Sequence, residues 1–208
     1  MAQKRGAIVA AARDGFLGRG YSEASMDSIA ASASVSVKTI YSHFRNKAEL
    51  FSAVLEAACT DQDGLFTHAR TDNELATKFA WFQDASLRGL AEAGEQYLTH
   101  LLSAEQVALY RVVTRDSERF PELGQLYQTN IAHGRTKILV AYLARTAHIN
   151  NWKPADPRKS ARIFEALLRA DVFEEVLHGV RAVDPEAIAK RARAASQVAW
   201  RLLEGSTE

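Results

Sequence analysis

Hydrophobic residues recur along the chain at the spacing of an α-helix. Near the N-terminus, Ile8, Ala12 and Phe16 are four residues apart, which places their side chains on one face of a helix over residues 4–19. Valine, isoleucine and threonine do not form the alternating runs that indicate strands. Further helices are predicted at residues 26–33, 37–43, 47 to about 70, 73–102 (one or two), 104–119, 121 to about 149, 157–180 and 185–204. The chain is therefore predicted to be all-α, with about nine helices.

Capping residues mark the starts of several predicted helices. Ser25 and Ser36 stand directly before the second and third helices, where a serine hydroxyl can accept a hydrogen bond from a free backbone N–H. Asn46, with a glutamate three residues later, starts the fourth helix in a similar way. Asp156 and Asp184 are each followed by proline, a residue favoured at the first helical position. The predicted boundaries therefore have local chemical support.

The second and third helices form a pair with a specific geometry. Both are short, and they are joined only by Ser34–Ser36. Helices of this length are marginal alone and persist when they dock on other helices. Their inward positions are apolar and can form one small core, which comprises Phe16, Ile29, Ala30, Val35, Ile40, Phe44 and Leu50. This arrangement predicts a helix-turn-helix, whose second helix enters the major groove of DNA.

The outward face of the third helix carries groups suited to DNA. Ile40 and Phe44 are four residues apart and share the buried face. The outward positions are then occupied by Lys38, Thr39, Ser42 and His43, with Tyr41 at the edge. None of these residues is acidic, and all can hydrogen-bond to phosphates or base edges. The alternative is an ordinary solvated helix face.

Residues 5–51 resemble the DNA-binding domain of TetR-type transcriptional regulators. The stretches that carry the resemblance are Gly20-Tyr21, Ser25-Met26-Asp27-Ser28-Ile29-Ala30, Val35-Ser36, Thr39-Ile40-Tyr41, His43-Phe44 and Asn46-Lys47-Ala48-Glu49-Leu50-Phe51. The resemblance implies an all-helical homodimer whose two N-terminal domains bind a palindromic operator. The residues expected to contact DNA are Thr39, Tyr41 and Lys47, as phosphate anchors, and Ser36, Val37, Lys38, Ser42 and His43, near the groove.

Two residues depart from the pattern of that family. The turn usually has a glycine where this chain has Ser34, so the sequence predicts either a strained positive φ or a slightly different turn. Lys38 stands where a small residue is common. Its amine can read guanine O6 and N7 or bind a phosphate. The operator sequence therefore cannot be deduced from the family.

Composition and charge fit a protein that touches DNA at one end. The chain has 208 residues, 47% of them hydrophobic, and a net charge of +1. Residues 1–50 hold seven Lys or Arg against four Asp or Glu, so this part is the more basic one. Cys59 is the only cysteine, which rules out an intramolecular disulfide. No signal peptide or membrane span is recognised, and a cytoplasmic protein is expected.

The remainder of the chain is predicted to bind a ligand and to dimerise. Arg119-Phe120-Pro121-Glu122-Leu123, Tyr142-Leu143-Ala144 and Asp156-Pro157-Arg158 resemble the AefR-like C-terminal subclass. Aromatic and polar groups of the middle helices are candidates for an effector pocket or for plain core: Trp81, Phe82, Tyr97, His100, Tyr110, Arg111, Tyr127 and His133. Arg115 and Arg119 are expected to pair with nearby acids on the surface.

A stripe of mostly small residues in the last helix predicts close helix packing. The dimer surface is expected to comprise Phe164, Leu168, Val172, Ile188, Ala192, Ala195, Ala199 and Leu202. Burial of the stripe within one chain is the alternative.

The function expected from the sequence is transcriptional regulation by a homodimer, with residues 1–50 binding DNA and residues 51–208 binding a small-molecule effector and the second copy. A repressor released by its effector is the first interpretation. The alternatives are an activator or architectural protein without ligand control, and a small-molecule binding protein that no longer binds DNA. No cofactor, metal site or enzymatic activity is expected, because the six histidines lack metal-ligand spacing and no phosphate-binding glycine loop is present.

Overall fold

The computed structural model describes residues 2–60, 72–153 and 156–204, and these residues form helices and connections without a strand. The α-helices are α1 (Ala2–Arg19), α2 (Met26–Ser32), α3 (Val37–His43), α4 (Lys47–Thr60), α5 (Asp72–Lys78), α6 (Ala80–Gln83), α7 (Leu87–Leu101), α8 (Ala104–Asp116), α9 (Glu122–Tyr127), α10 (His133–Ile149), α11 (Pro157–Arg169), α12 (Val172–Leu177) and α13 (Pro185–Glu204). A π-helical turn, Gln128–Ala132, connects α9 to α10. The prediction of an all-α chain is confirmed.

The chain divides into two compact units. The first unit comprises Met1–Thr67 and Ala108–Ala132, and the second comprises His68–Val107 and His133–Glu208. The first unit therefore holds α1 to α4 together with the second half of α8, α9 and the π-helical turn. The domain boundary expected at residue 50 stays a prediction. Residues 61–70 of the predicted fourth helix lie outside the described residues.

The core of the first unit follows the hydrophobic pattern of the sequence. Phe16, Ile29, Ile40 and Leu50 are fully buried, and Phe44 is 1% exposed. Each comes from a different helix or helix end, so their packing holds α1, α2, α3 and α4 together. Burying a side chain of this size stabilises a fold by about 1.5–3 kcal/mol. The predicted small core is confirmed.

The predicted helix caps are present at α2, α3 and α4. The Ser25 hydroxyl accepts a hydrogen bond from the backbone N–H of Ser28 at 3.1 Å, and the Ser36 hydroxyl accepts one from Thr39 at 3.1 Å. The side-chain oxygen of Asn46 accepts from the backbone N–H of Glu49 at 2.8 Å. The bond at Ser36 fixes where α3 begins, and so fixes which residues face outward from that helix.

The turn between α2 and α3 adopts the first of the two geometries that its sequence left open. Ser34 has a φ of 54°, in the left-handed region that favours glycine. Its backbone N–H donates to Ala31 O at 3.2 Å, and the next residue, Val35, donates to Ala30 O at 3.0 Å. A positive φ at a residue other than glycine costs about 1–3 kcal/mol, which the surrounding structure has to offset.

The second unit is built around the packing of α13 along α7 and of α10 against α11. Gly94 of α7 allows α11 to approach closely as well. A Cβ at Gly94 would lie 2.9 Å from the Leu168 side chain and 3.1 Å from Phe164. Small residues on α13 complete the close approach, and Ala192, for example, is fully buried.

This packing covers most of the predicted dimer surface within the chain itself, which is the alternative that the sequence left open. The small-residue stripe faces α7 of the same chain, and its members are already covered without a second copy. The residues buried in this way are Phe164, Leu168, Val172, Ile188, Ala192, Ala195 and Ala199. Leu202 is 52% exposed and remains available. Periodicity identified the buried stripe of α13 correctly but could not say which chain buries it.

Some predicted helices are interrupted, which gives more helical segments than the nine expected. The predicted helix at 157–180 ends at Arg169 and restarts at Val172. Between them, Asp171 adopts a φ of 61°, which no α-helix accommodates. The predicted region 73–102 is likewise divided into α5, α6 and α7, with extended backbone at Phe79. In the described part of the chain, no helix has both the length and the apolar character needed to cross a membrane.

Candidate DNA interface

The third helix presents one buried face and one polar face. Ile40 is fully buried and Phe44 closes the C-terminal end of α3 with its ring 1% exposed. Phe44 donates its backbone N–H to Ile40 O at 2.9 Å, and its extended dihedrals, φ −139° and ψ 124°, end the helix there. Because these two residues anchor the helix, the intervening residues project from a rigid frame.

The residues expected to contact DNA lie on this projecting surface to different degrees. Ser36, Lys38 and Ser42 are exposed, and Val37, Thr39 and His43 are partly exposed. Tyr41, which the sequence placed at the edge, is 54% exposed. All seven residues therefore share the accessible side of α3 and its N-cap. Their contacts with DNA stay predictions.

Two hydroxyls of this surface already make local hydrogen bonds. The hydroxyls of Ser36 and Thr39 are 2.8 Å apart and bond to each other. The Ser42 hydroxyl donates to Thr39 O at 2.7 Å, which leaves its oxygen lone pairs able to accept a hydrogen bond, for example from an amino group of cytosine or adenine. Lys38 is exposed on α3, so its positive charge is accessible from solvent.

Lys47 has partners that the sequence did not reveal. Its Nζ donates to Tyr21 O at 2.8 Å and to Ala24 O at 3.0 Å, with Ser22 O at 3.5 Å. The ammonium also lies 4.4 Å from the centre of the Tyr21 ring. The pKa of Lys47 is lowered from its ordinary value, chiefly because burial disfavours the charged ammonium. The charge of Asp116 raises this pKa, and the charge of Arg119 lowers it. The predicted phosphate contact therefore has to compete with this cradle of backbone carbonyls.

The loop between α1 and α2 is held by the end of α8. We call Gly20–Ala24 the α1–α2 loop. The carboxylate of Asp116, 7% exposed, accepts a hydrogen bond from the Tyr21 N–H at 2.9 Å. Arg115 donates to Arg19 O at 3.3 Å, and Arg119 donates to the Ser22 hydroxyl at 3.2 Å. Among the described residues, Arg115 forms an ion pair of the expected kind with Asp116, at 3.2 Å.

The close approach of α8 explains a glycine in this loop. Gly20 has a φ of 93°, and a Cβ at this position would overlap the guanidinium of Arg115. Phe120 packs edge-on against the Tyr21 ring, with centroids 5.1 Å apart. The sequence analysis did not predict the contact between the α1–α2 loop and the end of α8, because about 95 residues separate Tyr21 from Asp116. A glycine followed by an aromatic residue was the only local signal.

The residues predicted to bind an effector fall into separate groups. Trp81 and Phe82 pack on Tyr142 in the second unit, and the Trp81 indole donates to Gln96 Oε1 at 2.8 Å. Tyr110 and Tyr127 form an edge-on pair in the first unit, with centroids 5.7 Å apart. Trp81 and Phe82 are therefore part of the core, as the alternative interpretation expected. Tyr110 and Tyr127 also pack closely against each other.

His100 and Tyr97 lie beside a buried arginine in the second unit. Arg135 is 4% exposed, and its guanidinium lies 6.0 Å from the centre of the Tyr97 ring. Burial, and then the charge of Arg135, lower the pKa of His100 to about 4. The imidazole is therefore neutral near pH 7. Arg111 and His133 are exposed. The effector contacts of all these residues stay predictions.

Two family models match the chain. The model of "Bacterial regulatory proteins, tetR family" matches residues 8–54, and the model of "AefR-like transcriptional repressor, C-terminal domain" matches residues 88–202. The second match alone spans more than half of the chain. The chain belongs to the TetR family. It is a transcription regulator with a DNA-binding helix-turn-helix domain, formed by α2 and α3.

Individual TetR-family proteins resemble it in fold or in part. A putative TetR-family regulator from Mesorhizobium loti MAFF303099 has a TM-score of 0.78 at 20% identity, covering 97% of this chain and 96% of that one. The flavonoid-responsive regulator FrrA has a TM-score of 0.75 at 26% identity, covering 97% of each chain. The HTH-type transcriptional activator FasR of Mycolicibacterium smegmatis is 46% identical over 54 residues, 26% of this chain and 25% of that protein. The matched region thus spans a quarter of that relative.

Proposed function

We propose that this TetR-family regulator is a homodimeric repressor that binds a palindromic operator and is released by a small molecule. The observation that carries the proposal is the burial of Ile40 and Phe44, which leaves Lys38, Thr39 and Tyr41 on the open side of α3. A helix presented in this way suits the major groove. The same surface contains no carboxylate that would repel phosphates.

Specific recognition by so short a helix requires two copies. The α3 helix has seven residues, and a recognition helix reads only a few base pairs. A twofold dimer doubles the site and explains why such operators are palindromic. We place the dimer contact on the outer faces of α11 and α13, where Ile163, Val198 and Leu202 are 39%, 46% and 52% exposed. Ile163 and Leu202 line one common groove, so the patch is continuous.

The proposed effector acts by favouring one arrangement of the two DNA-binding domains. It can do so only if it binds one arrangement more tightly than the other. The segment Ala108–Ala132 belongs to the first unit, while the chain continues into the second unit at both of its ends. The segment is thus covalently joined to the second unit, and it contacts the α1–α2 loop through hydrogen bonds of Asp116 and Arg119. A change in the second unit can reach the helix-turn-helix by this route.

The class of effector is open to direct test. The flavonoid-responsive regulator FrrA covers nearly the whole chain at 26% identity, so flavonoids are the first compounds to test for release. The similarity to the activator FasR covers 54 residues, 26% of the chain. That similarity favours activation as the second candidate function.

A binding titration and a deletion strain separate these functions. Purified protein is titrated into the duplex upstream of its own gene and into a scrambled duplex, at several salt concentrations. The proposal expects at least about a thousandfold preference for one sequence, a stoichiometry of two chains per site, and raised transcription of the bound promoter in the deletion strain. Lowered transcription would establish an activator. Equal affinity for both duplexes would refute operator binding.

A further inference from the structure

An arginine of the first helix lies beside the recognition helix. The guanidinium of Arg5 lies 5.1 Å from the centre of the Phe44 ring. Phe44 is the residue at which α3 ends, and its ring is almost completely buried. Helix α1 therefore brings a cation to the C-terminal end of the DNA-reading surface, although about forty residues separate the two in the sequence.

The donors of this guanidinium remain available to a ligand. An arginine stacked on a ring uses the face of its guanidinium, while its five N–H groups point outward in the plane. Arg5 is exposed, and within residues 2–60, 72–153 and 156–204 no carboxylate forms an ion pair with it. By contrast, Arg13 of the same helix pairs with Asp14 at 3.4 Å.

The surroundings of Arg5 are basic. Lys4 is exposed beside it in the sequence, and Arg45 is exposed directly after Phe44. The nearby acid, Glu49, accepts a hydrogen bond from the backbone N–H of Arg45 at 2.7 Å and caps the start of α4. Cations without acidic partners at the end of a recognition helix suit the phosphates that flank the groove.

We infer that Arg5 binds a backbone phosphate of the operator, next to the base pairs that α3 reads. The stacking on Phe44 holds the guanidinium in place, so that its paired N–H groups meet two phosphate oxygens at once. The inference rests on the proposed function, because it requires α3 to occupy the groove. It adds a contact from α1 that extends the footprint of each half-site beyond the recognition helix.

The test compares Arg5→Ala and Arg5→Lys with the control Arg13→Ala. Affinity for the operator duplex and for a scrambled duplex is measured against salt concentration, and thermal unfolding is followed by circular dichroism. One lost phosphate contact per chain lowers the slope of log affinity against log salt by about 0.9, so R5A should lower the slope for a dimer by about two. R5K should keep most of the slope, and R13A should equal the wild type.

Each other outcome is decisive. If R5A keeps the wild-type slope and affinity, or loses affinity only together with thermal stability, Arg5 merely covers Phe44 and the inference is wrong. If R13A lowers the slope as much as R5A does, the effect is general charge and not a site. If the wild-type protein shows no sequence preference while R5A still lowers the slope on both duplexes, the proposed function fails and the phosphate contact stands.

Discussion

Replacing Lys47 by methionine distinguishes a structural role from a DNA contact. Methionine keeps the apolar stem but removes the ammonium that donates to Tyr21 O and Ala24 O at 2.8 and 3.0 Å. A hydrogen bond from a charged donor contributes about 1.5–3 kcal/mol when it is sheltered from water. The side chain here is only partly buried, and the carbonyls can bind water instead. We therefore expect the free energy of unfolding to fall by about 1–2 kcal/mol in all.

The matched control is Lys38→Met. Lys38 is exposed on α3, so its replacement should change the stability by less than about 0.5 kcal/mol. Urea unfolding should be followed by circular dichroism, because all three tryptophans (Trp81, Trp152 and Trp200) lie in the second unit and would not report directly on Lys47.

The salt dependence of DNA binding completes the comparison. K38M should lower either the slope of log affinity against log salt or the discrimination between sequences, the latter by about 1–3 kcal/mol for a bidentate base contact. K47M should leave the slope unchanged, because its ammonium is occupied by carbonyls. If K47M instead lowers the slope by about 0.9 per chain at unchanged stability, Lys47 leaves the cradle to bind a phosphate and this reasoning is refuted.

Three further predictions follow from buried or exposed groups. Burial, and then the charge of Arg135, lower the pKa of His100 from 6.5 to about 4, so between these two pH values only the unfolded chain binds a proton at this residue. The free energy of unfolding should therefore fall by up to about 3 kcal/mol as the pH drops from 6.5 to 4. Urea titrations at several pH values measure this, and an identical pH dependence for His100→Gln would contradict it. Asp116→Ala leaves the Tyr21 N–H without its hydrogen-bond acceptor, so the free energy of unfolding should fall by about 1–3 kcal/mol. The exposed control Asp14→Ala should lower it by less than about 0.5 kcal/mol. Leu202→Glu should yield monomers in sedimentation experiments without loss of helicity, and a stable dimer would show that the contact lies elsewhere.

The elements of the DNA-binding domain could be predicted because their signals are local. Serine caps fixed the start of α2 and α3, and the spacing of Ile40 and Phe44 fixed which face of α3 is buried. The strain at Ser34 was also predictable, since the chain has to turn there with or without glycine. Each of these inferences needs only residues within one or two helical turns, and the structure confirms them.

Contacts between distant segments could not be predicted in this way. Nothing near Asp116 indicates that its carboxylate accepts a bond from Tyr21, and nothing near Lys47 indicates the carbonyls around it. In both cases the neighbouring residues in the sequence indicated that the charged residue lies at the surface. Its burial is decided by a segment that arrives from elsewhere in the chain, which hydrophobic periodicity does not encode.

The residues of α13 show why the same limit applies to the dimer surface. A stripe of small residues requires a closely approaching helix, but it is satisfied equally by a helix of the same chain or of a second one. Here α7 of the same chain packs along α13, and a Cβ at Gly94 of α7 would lie 3.5 Å from the Cβ of Ala192 in that stripe. We therefore expect the dimer surface where large apolar side chains stay exposed to solvent, and Leu202 is 52% exposed. This is why the Leu202→Glu experiment tests the assembly, whereas a substitution at Ala195 would test only the fold.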